Sequence, residues 1–416
     1  MKITGIIAEF NPFHKGHEYL VQEIAKNSDY TVVIMSGDYV QRGAPAIFNK
    51  YTRTAMALSC GVDAVFELPL RYACASAPYF AGASIAALVN MACVDQLYFG
   101  SEAGSISLLK EINQLMSHPT PEYNHLLKEA LSKGKSYPAA RASALRSCSF
   151  EENTSLAGQK EQILALISEP NNILALEYLH YMDVYPSSMN AVTLKRKGAG
   201  YHELQREEDK LPSASMIRHA ISLGDYESAS IAIPPKAQSI FRQALEQKQN
   251  LTTFDLSYQL RYRLLNTCSD ELSSYLDVNE DLAHRIMASL PQLYDWDSFC
   301  EKIKSRNLTY TRVSRSLLHI LLNIKNYHLS KAPEEVVPYL RLLGFKKKSS
   351  PLLSEIKKNC QVPIISKLAD RHRQLNTNAL QMINQDIWAS DFYESIISMR
   401  NRTPFIQENS QRIVIR

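Results

Sequence analysis

Apolar positions alternate between short runs and helically spaced rows over the first hundred residues. Ile3–Phe10 is a short apolar run near the terminus, as a buried central strand of a parallel sheet should be. Asn11-Pro12 ends it. From Lys15 to Ala25 the spacing becomes helical, with Tyr19, Leu20 and Ile24 on one side. Tyr30–Ser36 is a second strand. A helix from about Phe48 to Cys60 follows, stopped by Gly61. Ala64–Leu68 is a third strand, the small-residue stretch Ser76–Met91 a tightly packed helix, and Gln96–Phe99 a fourth strand. Such alternation predicts an α/β fold, a parallel sheet with helices on both faces. Ligands then bind beyond the carboxyl ends of the strands. Three of those ends, before His14, at Ser36-Gly37-Asp38 and at Gly100, point at one crevice.

Further along, Tyr123–Lys133, Tyr137–Cys148, Gln159–Ile167 and a segment opened by Pro170-Asn171-Asn172 read as helices. Ala191–Lys195 reads as a strand and residues 213–223 as a helix stopped by Gly224. From about residue 230 strand signals vanish. Gln238–Gln247, Tyr258–Leu265, Leu282–Leu290, Asp297–Arg306, Tyr310–Asn323 and Glu335–Leu343 read as helices, and after Phe392 a helix and a closing strand at Arg412–Arg416 are expected. The expected division is residues 1–225, then a mostly α-helical domain over 226–416. No internal repeat or low-complexity linker is evident.

Composition narrows the class. Apolar residues are 45% of the 416 and charged residues 21%, ordinary for a soluble globular protein. No run is long enough to span a bilayer, and Ile3–Phe10 is too short for a signal peptide. Seven scattered cysteines with no Cys-x-x-Cys favour reduced thiols and a cytoplasmic location over disulfides or zinc. The net charge of +4 divides into −4 over residues 1–230 and +8 over 231–416. The second half is the better candidate for a polyanion, a solvated helical surface being the alternative. Within it Lys302, Lys304, Arg306, Tyr310, Arg312, Arg315 and His319 form a basic stretch. Arg312, Arg315 and His319 would share one helix face that could track an RNA backbone. Lys346-Lys347-Lys348 is a second cluster.

The chemistry concentrates after the first strand. A helix start carries unpaired amides and partial positive charge, so it can hold a phosphate. Gly16 would let a ligand approach the backbone. His14 and His17, three apart, can face one side and stabilise a reacting phosphoryl group. Two histidines without nearby partners do not make a metal site. Ser36, Asp38, Gln41 and Arg42 lie in a polar loop suited to a substrate carboxylate, ribose or nucleic acid, or to a plain surface turn. Asn171 and Asn172 suit capping or ligand binding. Lys195, Arg196 and Lys197 beside a Gly-containing turn suit a triphosphate, a simple basic turn being the alternative.

The segment Asn11-Pro-Phe-His-Lys-Gly-His17 resembles the His-x-Gly-His signature of the nucleotidyltransferase superfamily. Ser213-Ala-Ser215-Met-Ile-Arg218 resembles its second motif, Ile-Ser-Ser-Thr-x-Ile-Arg, with Leu-Pro before the serines and Ala at the middle position. A closer resemblance, strong to about residue 220, is to the bacterial tRNA(Met) cytidine acetate ligase family. It is carried by residues 8–17, 35–45, 61–69, Phe99-Gly-Ser-Glu102, Pro170-Asn-Asn-Ile-Leu174 and Lys195–His202, with Tyr310–Arg315 in the helical half. The resemblance implies a Rossmann-like domain over 1–225 and a tRNA-binding domain over 226–416. It implies ATP, with Mg²⁺, and catalysis by His14 and His17. ATP would lie against Ile7, Ala8, Glu9, Phe10, Asn11, Pro12, Phe13, Lys15, Gly16 and Leu20, with Gly100, Asn171 or Asn172, Lys195, Arg196, Ser213, Ser215 and Arg218. Acetate would become acetyl-adenylate, and the acetyl group would pass to N4 of the wobble cytidine of elongator tRNA(Met). Two other readings stay open: a small-molecule adenylyltransferase, and a non-catalytic RNA-binding protein on the same scaffold.

Overall fold

A computed structural model describes residues 1–117, 119–133, 137–147, 160–196 and 213–416. Its centre is an eight-stranded, mostly parallel sheet. Strands β1 (Ile3–Ala8) and β2 (Tyr30–Ser36) pair in parallel, with Ile3 opposite Tyr30. Beyond β2 a short hairpin of β3 (Tyr39–Val40) and β4 (Ala44–Pro45) leaves the sheet. Strand β5 (Ala64–Leu68) pairs with β2, and β6 (Gln96–Ser101) with the other side of β1. β7 (Asn190–Lys195) continues beyond β6. The first three strands therefore build outward from β1 on one side, and the chain returns to β1 on the other. The gap between β1 and β6 is the topological switch point where such sheets bind ligands.

The second half does not stay out of the sheet. Residues Glu335–Leu343, expected as a helix, divide into a helical turn Pro333–Val336 and strand β8 (Leu340–Phe345). β8 runs antiparallel along β5 and is joined by β9 (Ile364–Ile365) and β10 (Val414–Ile415). Pro338 removes an N–H and disfavours helix at Val337, and the apolar run Leu340–Phe345 gains a ladder partner in β5. The three-lysine cluster follows β8. Because β8 is antiparallel, that cluster sits at the amino edge of the parallel strands, with Lys346 3.7 Å from Asp63.

Helices cover both faces. Helix α1 (Lys15–Ala25) follows β1, α2 (Lys50–Ser59) follows the hairpin, and α3 (Ala77–Met91) links β5 to β6. Nearly every side of α3 is buried. Small residues permit that approach, and Gly5 of β1 has no Cβ because one would lie 2.9 Å from Leu88 of α3. Helix α4 (Pro170–Val184) packs outside α3, and α5 (Ala214–Ser222) lies on the opposite face with Ile217 and Ile221 buried. A separate apolar core forms among α6 (Ser257–Leu265), α7 (Tyr310–Leu321) and the carboxyl half of α8 (Thr377–Asn401). Among the described residues no helix is long and apolar enough to cross a membrane.

Candidate active site

β1 opens from full burial to half-exposure at Ile7, Ala8 and Glu9, so its carboxyl end is a lip of the crevice. Phe10 has φ of +46° and Asn11–Pro12 is a cis peptide, which turns the chain sharply into α1. Phe10 and Phe13 are buried and pack against His17, Phe10 edge-on and Phe13 tilted. His14 is the N-cap of α1. Its Nδ1 accepts from the Gly16 amide at 3.0 Å, and its own amide donates to Nδ1 of His17 at 3.3 Å. The rings stack with centroids 3.8 Å apart. With both Nδ1 atoms accepting, each neutral ring carries its proton on Nε2. Two fixed N–H donors result.

Burial, then the charges of Arg196 and Arg218, push the pKa of His14 down to about 3. Burial, then His14, hold His17 well below its ordinary value. Both imidazoles are therefore neutral at pH 7, suited to act as donors rather than as proton carriers. Gly16 is required less for ligand approach than for the histidine: a Cβ there would stand 2.8 Å from Cε1 of His14.

The other candidates arrive on three more chain segments. Gly100 ends β6 beside Arg196, whose side chain would meet a Cβ at 3.2 Å. Arg196 follows β7, donates its amide to Ser101 and lies within reach of the charges of Glu102 and Arg42. Ser213 caps α5 by accepting from Met216. Arg218 donates to the Asn11 carbonyl at 2.8 Å and to Ser215 at 3.2 Å, which ties the second motif to the first. Four basic or donor elements thus converge on the β1–β6 switch point from different parts of the chain, an arrangement that suits a polyphosphate.

A family model described as HIGH nucleotidyl transferase matches residues 1–408. The tRNA(Met) cytidine acetate ligase of Halothermothrix orenii is 35% identical over 400 residues, with 94% of each chain covered. That of Acetivibrio thermocellus is 34% identical over 423 residues, with 100% of each chain covered. The chain belongs to the HIGH nucleotidyl transferases, among the tRNA(Met) cytidine acetate ligases. Two solved structures of Thermotoga maritima TmcAL share its fold, one apo and one bound with alpha-thio ATP. Their TM-scores are 0.91 and 0.89 at 27% and 26% identity, each covering 100% of this chain and 99% of the other.

Not every candidate of this HIGH nucleotidyl transferase faces the crevice. Asp38 is buried, with Oδ1 accepting from the Lys50 amide at 2.7 Å, so it holds the loop rather than a substrate. Ser36 is buried too, and its carbonyl accepts from Arg53. Gln41 and Arg42 remain half-exposed, the Gln41 amide donating to Glu9 at 3.0 Å. Asn172 is fully buried and its carboxamide is used internally, by Leu166 and Ala103. Asn171 is half-exposed and donates to Glu102, so of the pair it is the one left accessible. Arg315 is turned toward Asp277 at 3.3 Å, while Arg312 stays half-exposed. His319 is not on an RNA-facing surface: it is fully buried, with ring nitrogens 2.8 Å from the Leu276 and Cys74 carbonyls. Lys197 to His202, Leu211, Pro212 and Cys148 lie outside the described residues.

Sequence reasoning missed a set of buried charges behind the site. Arg53 donates to the carbonyls of Phe48, Glu9, Ser36 and Gly37, and so pins the ends of β1 and β2 together. Lys50 pairs with Glu67 at 2.7 Å and Glu408 at 2.8 Å. Arg341 of β8 completes the network against the same two carboxylates. The available signal was a lysine and an arginine three apart among the small and apolar residues of α2, and one arginine inside an apolar strand.

Proposed function

We propose that this chain is an ATP-dependent ligase that activates acetate and acetylates tRNA. The carrying observation is the His14–His17 pair, two neutral Nε2–H donors set at the start of α1 beside Arg196 and Arg218. The relatives' name, tRNA(Met) cytidine acetate ligase, supplies the substrates. An acetate oxygen attacks the α-phosphorus of ATP in line, and the bond to the pyrophosphate oxygen breaks. The developing negative charge meets the two imidazole donors and the α1 amides, while Arg196, Ser213 and Arg218 hold the leaving pyrophosphate. The N4 amine of the wobble cytidine in elongator tRNA(Met) then attacks the acetyl carbon. The carbon–oxygen bond to AMP breaks, and the amine proton leaves to solvent or phosphate. No covalent enzyme intermediate is needed, since positioning and electrostatics supply the acceleration.

Residues 1–225 hold the nucleotide in this reading and 226–416 the RNA, a division of surfaces, since β8 completes the shared sheet. Among the described residues no group of three or more His, Cys, Asp or Glu side chains is placed to hold a metal. Mg²⁺ that enters with ATP is held chiefly by phosphate oxygens and water. The place of action is the cytoplasm, where the tRNA is.

The test is release of pyrophosphate and AMP from ATP across a panel of small carboxylic acids, with and without tRNA. Acetate-specific turnover, with label reaching a wobble cytidine and lost in His17→Ala, supports the ligase. Pyrophosphate release only with a phosphorylated cofactor precursor would assign the chain to small-molecule adenylyl transfer instead.

A further inference from the structure

A second recess lies away from the histidines, between α6, α7 and α8. It is a groove of about 920 Å³. Its rim carries Tyr258, 85% exposed, and Trp388, 47% exposed, with Tyr262 beside them. Trp388 stacks on Phe392 with ring planes 3° apart. The remaining lining includes Arg71, Arg263 and five Asn or Gln side chains, and no carboxylate.

Clustered exposed aromatics mark a contact surface. The chemistry around these selects the contact. Flat, solvent-facing rings are platforms on which unpaired bases stack. Among the carboxamides, Asn323 and Asn384 accept on Oδ1 from Arg263 and Arg371, and Gln385 donates to the Leu322 and Asn323 carbonyls. The donors and acceptors they have left are the kind a base edge requires. The guanidinium of Arg71 is held over the Tyr327 ring at 5.3 Å and that of Arg263 over Tyr275 at 5.8 Å. The Nε of each is buried with no hydrogen-bond partner. Arg71 has no carboxylate in the lining, and Arg263 lies 3.9 Å from Glu271, which is not part of the lining. Guanidiniums oriented in this way suit a phosphodiester. An apolar protein face would leave the carboxamides and guanidiniums desolvated and unmatched.

The groove is also in the right place. Arg71 sits on the short helix Leu70–Ala73 that directly follows β5. β5 runs parallel to β2 and β1, so Arg71 stands at the same carboxyl edge of the sheet as His14, with β2 between their strands. A cytidine drawn from its loop into the crevice would bring its unpaired neighbours to this edge of the sheet.

We propose that the groove seats unpaired bases flanking the target cytidine, stacked on Trp388 and Tyr258. This rests on the acetylation of tRNA proposed above, and it is tested by binding without turnover. The chain has two tryptophans, and Trp296 is fully buried, so quenching of fluorescence by a stacked base reports Trp388. The full chain is titrated with the anticodon stem-loop of elongator tRNA(Met) and with a blunt duplex of the same stem. The loop is expected to quench and the duplex not. Trp388→Ala and Tyr258→Ala each weaken loop binding about tenfold, Trp388→Phe restores it, and acetate-dependent pyrophosphate release stays at the wild-type rate. Absence of loop binding by the wild type overturns the proposal. So does equal binding of loop and duplex unchanged by Trp388→Ala. A dimer in sedimentation that Trp388→Ala splits, with RNA affinity unchanged, also overturns it and makes the groove a contact between copies. Failure of acetate activation in the wild type would strike the ligase reading alone, because the titration needs no turnover.

Discussion

Replacing His17 with Asn separates what the ring does for the fold from what it does for the reaction. Nδ1 of His17 accepts from the His14 amide at 3.3 Å, and only Nε2–H is left to face a phosphate. The Oδ1 of asparagine lies near the position of Nδ1, so His17→Asn keeps the cap acceptor and removes the catalytic donor. Losing a cap costs about 0.5–2 kcal/mol, and losing one oxyanion donor lowers kcat about 10²–10³-fold. His17→Asn should therefore melt within about 1 °C of the wild type while pyrophosphate release with acetate falls at least a hundredfold. His17→Gln carries an N–H near Nε2 but loses the cap, so it should retain more rate and less stability. The measurements are kcat and KM for ATP in pyrophosphate release, with melting temperatures for all three chains. Because burial holds both pKa values below the ordinary imidazole range, the wild-type rate should show no imidazole step between pH 6 and 8. A normal kcat in His17→Asn would refute the reasoning. An inflection near pH 6.5 that this substitution abolishes would also refute it, since the imidazole would then be carrying a proton.

The same depression makes the fold acid-sensitive. The unfolded chain binds a proton on His14 below its ordinary pKa of 6.5, whereas the folded chain resists down to about pH 3. Stability contributed by the neutral ring is thus full above pH 6.5 and lost as pH falls toward 3. Urea titrations at pH 7 and 5 should show a smaller loss for His14→Asn than for the wild type. Lys50→Ala removes one of the two cations that buried Glu67 and Glu408 share, Arg341 remaining, and should cost about 3 kcal/mol by urea unfolding, the low end for breaking a buried pair and beyond any truncation of an exposed lysine. Gly43 has φ of +77°, and a Cβ there would overlap the backbone of Ser314 and Arg315. Gly43→Ala should lift the β3–β4 hairpin from α7 and break the 2.7 Å bond from Ser314 to its carbonyl. We expect a loss of about 2 kcal/mol, read by urea unfolding, from left-handed strain and the hydrogen bond together.

What the sequence exposed and what it hid follow from range. The first four large strands, α1 to α3 and the two motif segments were legible because each is specified within some fifteen residues, by a period, a cap or a glycine. β8 was not. Leu340-Arg-Leu-Leu-Gly-Phe345 is six residues of mixed apolar character, which periodicity alone does not distinguish from a buried helical turn. What makes it a strand is β5, some 275 residues upstream, and no local signal carries that pairing. Asp38 and His319 fail for a related reason. Polar residues in a loop or on a helix face read as ligand contacts until the partner that buries them is known, and those partners, Lys50, Cys74 and Leu276, come from other elements. The buried charges tie these lessons to function. Arg53 pins the ends of β1 and β2, Lys50 ties that junction to β5, and Glu408 draws in a segment from the far end of the chain. The crevice proposed to receive the nucleotide is thereby braced by Arg341 and Glu408, from the part of the chain that supplies most of the groove. Nucleotide site and groove are held in one frame, so the distance between them is fixed by the sheet rather than by a linker. A transfer that must bring an RNA base to a mixed anhydride requires such a frame.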